Sequence, residues 1–89
     1  MKIIYQGQIG AVAGLTSEER DVSSDTTVAE LIAEIAKGKP AEVARFLVDS
    51  EGNVSKSLLV VVDDDHVLDY SVRVGDAREL LLMPPMAGG

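Results

Sequence analysis

The sequence has no cysteine, no tryptophan, one phenylalanine and one histidine in 89 residues. Without cysteine there can be no disulfide, no thiolate metal site and no cysteine nucleophile, so any sulfur chemistry on this chain must use a group other than a thiol. The single histidine, His66, has no cysteine, serine or second histidine placed to suggest a dyad or triad. No glycine-rich loop of a recognised phosphate-binding spacing is present. No apolar run approaches the roughly 20 residues of a membrane span, and no charged-then-apolar signal segment opens the sequence. A cytoplasmic protein without membrane contact is expected. Basic residues are also scarce, 8 Lys and Arg against 15 Asp and Glu, giving a formal net charge of −7 and a pI near 4.4. That balance argues against nucleic acid, whose phosphates demand a basic surface. It keeps a small protein soluble and suits a basic partner surface.

What the chain does contain is enough apolar material, 46% of its residues, for one globular domain with a core that needs no staples. No second domain fits. Residues 2–5 are short, β-branched and aromatic, as a first strand requires. Gly7, Gly10 and Gly14 then predict irregular chain. A second extended stretch is expected within residues 15–22, with Glu18, Glu19 and Arg20 facing water. Thr27 followed three residues later by Glu30 is a capping box, so a helix starts there. Val28, Leu31, Ile32 and Ile35 form its apolar stripe, and Gly38 with Pro40 ends it near Lys37. This stripe is core. Residues 41–47 permit a second short helix with Val43, Phe46 and Leu47 inward. The unbroken apolar run of residues 58–62 predicts a strand buried on both faces in the middle of a sheet. Val67-Leu68 is expected as a short strand, and residues 80–83 as a last buried one.

Two acidic clusters could be taken for metal sites. The segment Asp49-Ser50-Glu51-Gly52-Asn53 lacks the glycine and glutamate that a calcium loop needs at its sixth and twelfth positions, where Val54 and Val60 stand, and is a turn. Asp63-Asp64-Asp65-His66 offers carboxylates and an imidazole, but adjacent side chains on extended or tightly turning chain diverge. A solvated hairpin turn is expected, and no metal site is assigned. The end, Met83-Pro84-Pro85-Met86-Ala87-Gly88-Gly89, has a different character. Proline cannot donate to a sheet, so Pro84-Pro85 stops the strand and sends the chain away stiffly. Ala87, Gly88 and Gly89 carry almost no side chain, which lets a terminal carboxylate thread into a narrow tunnel.

The element order describes an α+β fold, a β-grasp (ubiquitin-like) roll with a mixed sheet of four to five strands crossed by one main helix. Thr27-Val28-Ala29-Glu30-Leu31-Ile32, the run Leu59-Val60-Val61-Val62-Asp63 before a turn, and above all the seven-residue end resemble the MoaD/ThiS-type ubiquitin-like sulfur carriers. Gln8-Ile9 and Gly14 also stand at familiar spacing. The resemblance spans nearly the whole chain and is most specific in the tail. It implies a carrier protein rather than an enzyme: residues 1–83 form the domain and residues 84–89 a flexible tail. In that family a ubiquitin-activating-type enzyme uses ATP and magnesium to adenylate the last glycine, and a persulfide or sulfurtransferase donor converts it to a thiocarboxylate. The chain itself would bind no cofactor. Gly89 would be the acceptor, Gly88 and Ala87 the slim tether, Met86 a short spacer, and Pro84 and Pro85 a stiff one.

Within the family the Pro-Pro-Met-Ala-Gly-Gly end is most similar to the small subunit of molybdopterin synthase, which implies the large subunit as a further partner. Met83 and His66 would lie on its docking face. There Met83 keeps the family's apolar character, whereas Gln6 and His66 depart from it. The turn usually written Asn-Gly is Asp63-Asp64, and the Gly-Asp common before the last strand is displaced to Gly75-Asp76 or replaced by Ala77-Arg78. A carrier for thiamin, cysteine or another sulfur metabolite, a protein modifier joined to lysines through Gly89, and an interaction domain with an inert tail remain as alternatives.

Overall fold

The computed structural model describes residues 1–84. Five strands form one mixed sheet: β1 (Lys2–Tyr5), β2 (Ser17–Glu19), β3 (Leu59–Val62), β4 (Asp65–His66) and β5 (Glu79–Met83), in the order β2-β1-β5-β3-β4. β5 runs parallel to β1 and antiparallel to β3; the other pairs are antiparallel. Three helices, α1 (Gly7–Ala13), α2 (Val28–Lys37) and α3 (Ala41–Leu47), supply the rest of the regular structure. This is the β-grasp roll expected from the element order.

α2 forms where its sequence signals place it. Thr27 Oγ1 accepts the amide of Glu30 at 3.1 Å, and the Glu30 carboxylate accepts the amide of Thr27 at 2.8 Å. The next free amides of the first turn, Val28 and Ala29, donate to the carbonyls of Val72 and Tyr70, both at 2.9 Å. The long β4–β5 connection is thereby tied to the helix start. Val28, Leu31, Ile32 and Ile35 are buried, each contributing about 1.5–3 kcal/mol of transfer free energy. They pack with Ile3, Tyr5, Val60, Leu80 and Leu82 from the inner face of the sheet, Ile9 of α1, and Val43 and Leu47 of α3. Phe46 is half-buried at the margin of that core.

Three local expectations fail. Residues 7–13 are helical despite their glycines, because Ile9 enters the core and Gly10 lets the helix approach β1 closely. β3 is one strand from the edge rather than central, and only Val60 is fully buried on it; Leu59 and Val61 are half-buried on the other face. The short strand falls at Asp65–His66, not Val67-Leu68, because the Asp63-Asp64 turn sets the register Val62 to Asp65 and Val61 to His66.

A cluster of charged and phenolic groups ties β1 and β2 to the α2–α3 connection. Glu18 Oε2 accepts from the Tyr5 hydroxyl at 2.7 Å and from Lys39 Nζ at 2.6 Å, and Lys39 sits 5.3 Å from the centre of the Tyr5 ring. Burial raises the Tyr5 phenol, and the Glu18 hydrogen bond and charge add to that. For Glu18, burial opposes ionisation, but the hydrogen bonds from Lys39 and Tyr5 outweigh it and the carboxyl lies below its ordinary value. Glu30 is lowered by its bonds within the capping box, and Asp69 by those from Ser71. Folded carboxyls held below their unfolded values stabilise the fold above the ordinary carboxylate range and lose that contribution as pH falls through the folded values. Thermal unfolding followed across pH should therefore show a midpoint that is flat from about pH 7 to 5 and declines below about pH 4. A midpoint that instead rises on acidification would contradict this assignment of the carboxylates.

Candidate functional site

β5 lies at the centre of the sheet and leads directly into the tail. Its side chains alternate: Leu80 and Leu82 are fully buried beneath the helices, while Leu81 and Met83 point to the opposite face. Among the described residues no helix packs the side chains of that face into the core cluster. Paired residues on neighbouring strands share a face, so the register lines up Ile4, Leu81, Val61 and His66 in one row and Met83 with Leu59 in the next. All five apolar members are half-buried and His66 is exposed. Leu68, two residues beyond His66, is 78% exposed. On the same face the row beyond Ile4 and Leu81 holds Glu19, Lys2 and Glu79, all exposed.

The sequence-derived docking residues, Met83 and His66, are thus on one face but do not touch the same neighbours. Met83 pairs with Leu59, whereas His66 pairs with Val61 on the far side of β3. Gln6 lies beside the end of β5, its amide donating to the Leu82 carbonyl at 2.9 Å. Ile4, Leu59, Val61 and Leu81 were not singled out from sequence as surface residues. For Leu59 and Val61 the signal was present in the unbroken apolar run of residues 58–62. A strand covered on one face only should alternate, so the continuous run means that the outer face is apolar as well.

The aspartate-rich turn has a structural role. Asp63 and Asp64 adopt φ of 46° and 72°, the left-handed pair that a two-residue hairpin requires. The Asp63 carboxylate accepts the backbone amides of Arg78 at 3.0 Å and Glu79 at 2.9 Å, fastening the start of β5 to the turn. Oxygens so engaged and side chains so splayed do not converge on a cation.

At the other end of β5, Pro84 is half-buried beside Gly7, the first residue of α1. A Cβ built at Gly7 would stand 3.4 Å from Pro84 Cγ and 3.6 Å from its Cδ. The first residue of the tail is therefore seated on the domain. Pro85, Met86, Ala87, Gly88 and Gly89 lie outside the described residues.

The profile of the ThiS family matches residues 3–89, all of the sheet but Lys2, and the Gly88-Gly89 end. The chain belongs to the ThiS family. No curated protein matches its sequence. Among solved structures, the fold is similar to that of SAMP1 from Haloferax volcanii, with a TM-score of 0.82 at 23% identity over 99% of this chain and 97% of that one. A putative molybdopterin converting factor, subunit 1, from Pyrococcus furiosus aligns with a TM-score of 0.71 at 22% identity, covering 96% of this chain and 95% of that one. Urm1 from Trypanosoma brucei gives 0.70 at 22% identity, covering 99% and 93%. Among the described residues no helix is long and apolar enough to cross a membrane.

Proposed function

We propose that the chain is a sulfur carrier, adenylated and then thiocarboxylated at Gly89 by a ubiquitin-activating-type enzyme, and that it donates this sulfur in molybdopterin biosynthesis. The observation that carries the reading is a family match extending through Gly88-Gly89 in a chain without a single thiol. The Gly89 carboxylate is ionised at neutral pH and resists nucleophilic attack until it is activated. Its oxygen attacks the α-phosphate of magnesium-bound ATP on the partner, and pyrophosphate leaves. The terminal sulfur of a persulfide then displaces AMP, and a second thiol reduces the resulting acyl disulfide, releasing the thiocarboxylate and a disulfide. The partner supplies the catalysis. This chain supplies a docking face, a spacer and the acyl group, and holds no cofactor.

The open face of the sheet fits the activating enzyme because β5 joins the two: a partner that grips the tail also stands over Met83, Leu81 and their neighbours. The net charge of −7 suits a basic rim on that partner, and the apolar centre an apolar one. The large subunit of molybdopterin synthase is the proposed recipient, supported by the Pro-Pro-Met-Ala-Gly-Gly end and by the likeness to a putative molybdopterin converting factor. A second reading, a modifier joined to lysines through Gly89, is supported by the likeness to small archaeal modifier protein 1.

Activation is tested by ATP–pyrophosphate exchange with a cognate adenylating enzyme. Exchange should depend on the full chain, and its absence with every such enzyme of the native host would contradict the proposal. In the same assay Leu81→Glu, which puts a charge in the centre of the apolar face, should raise KM about tenfold, equivalent to about 1.4 kcal/mol of docking, with kcat within about twofold. An unchanged KM would mean that the enzyme docks elsewhere.

A further inference from the structure

The way the tail leaves the domain depends on a residue far from it in sequence. Gly7 has φ of +57°, and the Pro84 ring lies over it, in van der Waals contact with the position that a Cβ would take. One hydrogen bond and the strand register bring the segments together: the Gln6 backbone amide donates to the Leu82 carbonyl at 2.9 Å, and the parallel pairing places Tyr5 beside Leu82. The chain thus enters α1 at the point where β5 ends. Proline's φ is fixed near −65°, so a ring that is held also holds the Pro84 carbonyl carbon, to which the tail is joined.

We infer that Gly7 is a positioning residue for the reaction at Gly89, acting through Pro84: the bare backbone at the start of α1 is a seat that aims the tail at the partner's active site. This rests on the activation proposed above. The benefit is entropic. A tail whose base is held loses less freedom when threaded, and its terminal carboxylate is presented within reach of the correct geometry.

The control is built into the same helix. Gly14, at the other end of α1, also has a left-handed backbone, φ +76°, but nothing lies within 4 Å of a Cβ built there. Asn tolerates this backbone region best among residues with a side chain. Gly7→Asn and Gly14→Asn therefore carry similar backbone costs, and only the first meets the tail. In ATP–pyrophosphate exchange Gly7→Asn should lower kcat about tenfold with KM within about twofold, since a misplacement of about 1 Å can cost up to about 10²-fold. Gly14→Asn should stay within about twofold of wild type in both constants. Pro84→Ala should reproduce the loss, and combining it with Gly7→Asn should add little, as expected of two residues acting through one contact. Nuclear Overhauser contacts between the Gly7 Hα protons and the Pro84 ring should be present in the wild-type chain and remain in Gly14→Asn. Equal kcat for Gly7→Asn and Gly14→Asn, or absence of the Gly7–Pro84 contact from the wild-type spectrum, overturns the inference. A wild-type chain that shows the contact but is never adenylated overturns the carrier reading itself, and the positioning role with it.

Discussion

Removing Gly89 is expected to lower adenylation at least about 10²-fold while leaving the unfolding midpoint unchanged. The truncated chain still ends in a carboxylate, that of Gly88, but one residue short, which retracts it by about 3.5 Å. A displacement several times larger than the roughly 1 Å that already costs up to about 10²-fold cannot be absorbed by a tail fitted to a tunnel. Stability should not follow. Among the described residues the last fully buried side chain is Leu82, and Pro84 lies against Gly7. Exchange kinetics and thermal unfolding on the same preparation separate the two effects. A truncated chain activated as fast as the full one would remove Gly89 from the mechanism, and one that unfolds would place Gly89 in the fold.

Gly10→Ala should destabilise the domain by about 3 kcal/mol, opposite in sign to the general rule for helices. In an exposed helix interior, replacing Gly by Ala stabilises by about 1 kcal/mol. Gly10 is buried, and a Cβ there would stand 2.5 Å from the Tyr5 carbonyl oxygen and 3.2 Å from that of Leu15. Both are backbone atoms, and neither is free to yield. Tyr5 is held between β2 and β5, its own amide donating to Thr16 at 2.8 Å. Overpacking of this kind costs about 1–3 kcal/mol and occasionally more, which wins over the propensity gain. For a domain of this size each kcal/mol moves the midpoint by about 4–8 °C, so a fall of more than about 10 °C is expected. A stabilised Gly10→Ala would show that α1 does not pack against β1 as described. Because α1 also carries Gly7, the same variant should disturb the seat of Pro84.

The parts of this fold that were legible from the chain are those where local chemistry and packing agree. The Thr27–Glu30 box, the apolar stripe of α2 and the Gly38 stop all coincide with an element that the core requires. α1 was hidden because its glycines oppose helix formation locally but have places in the fold: Gly10 allows close approach to β1, and Gly7 takes a positive φ against Pro84. Gly14, with its amide on the Gly10 carbonyl at 2.9 Å, is a left-handed helix terminator and was the one local sign of it. The docking face was half-legible. Met83 and His66 could be placed by resemblance, but Ile4, Val61 and Leu81 belong to the site through strand register, which no single segment encodes. The continuous apolar character of residues 58–62 was read as burial by the protein's own helices. In the structure its outward members, Leu59 and Val61, lie half-buried on the proposed docking face. Gly7 could not be found from sequence, since its relation to Pro84 spans almost the whole chain.

Intact-protein mass spectrometry of the chain purified from its native host tests the central claim most directly. A population in which one terminal oxygen of Gly89 has been replaced by sulfur is expected, and it should grow when the cognate adenylating enzyme, ATP and a sulfur donor are supplied. Adducts joined to lysines would favour the modifier reading, and a chain that remains wholly the carboxylate under those conditions would contradict the account.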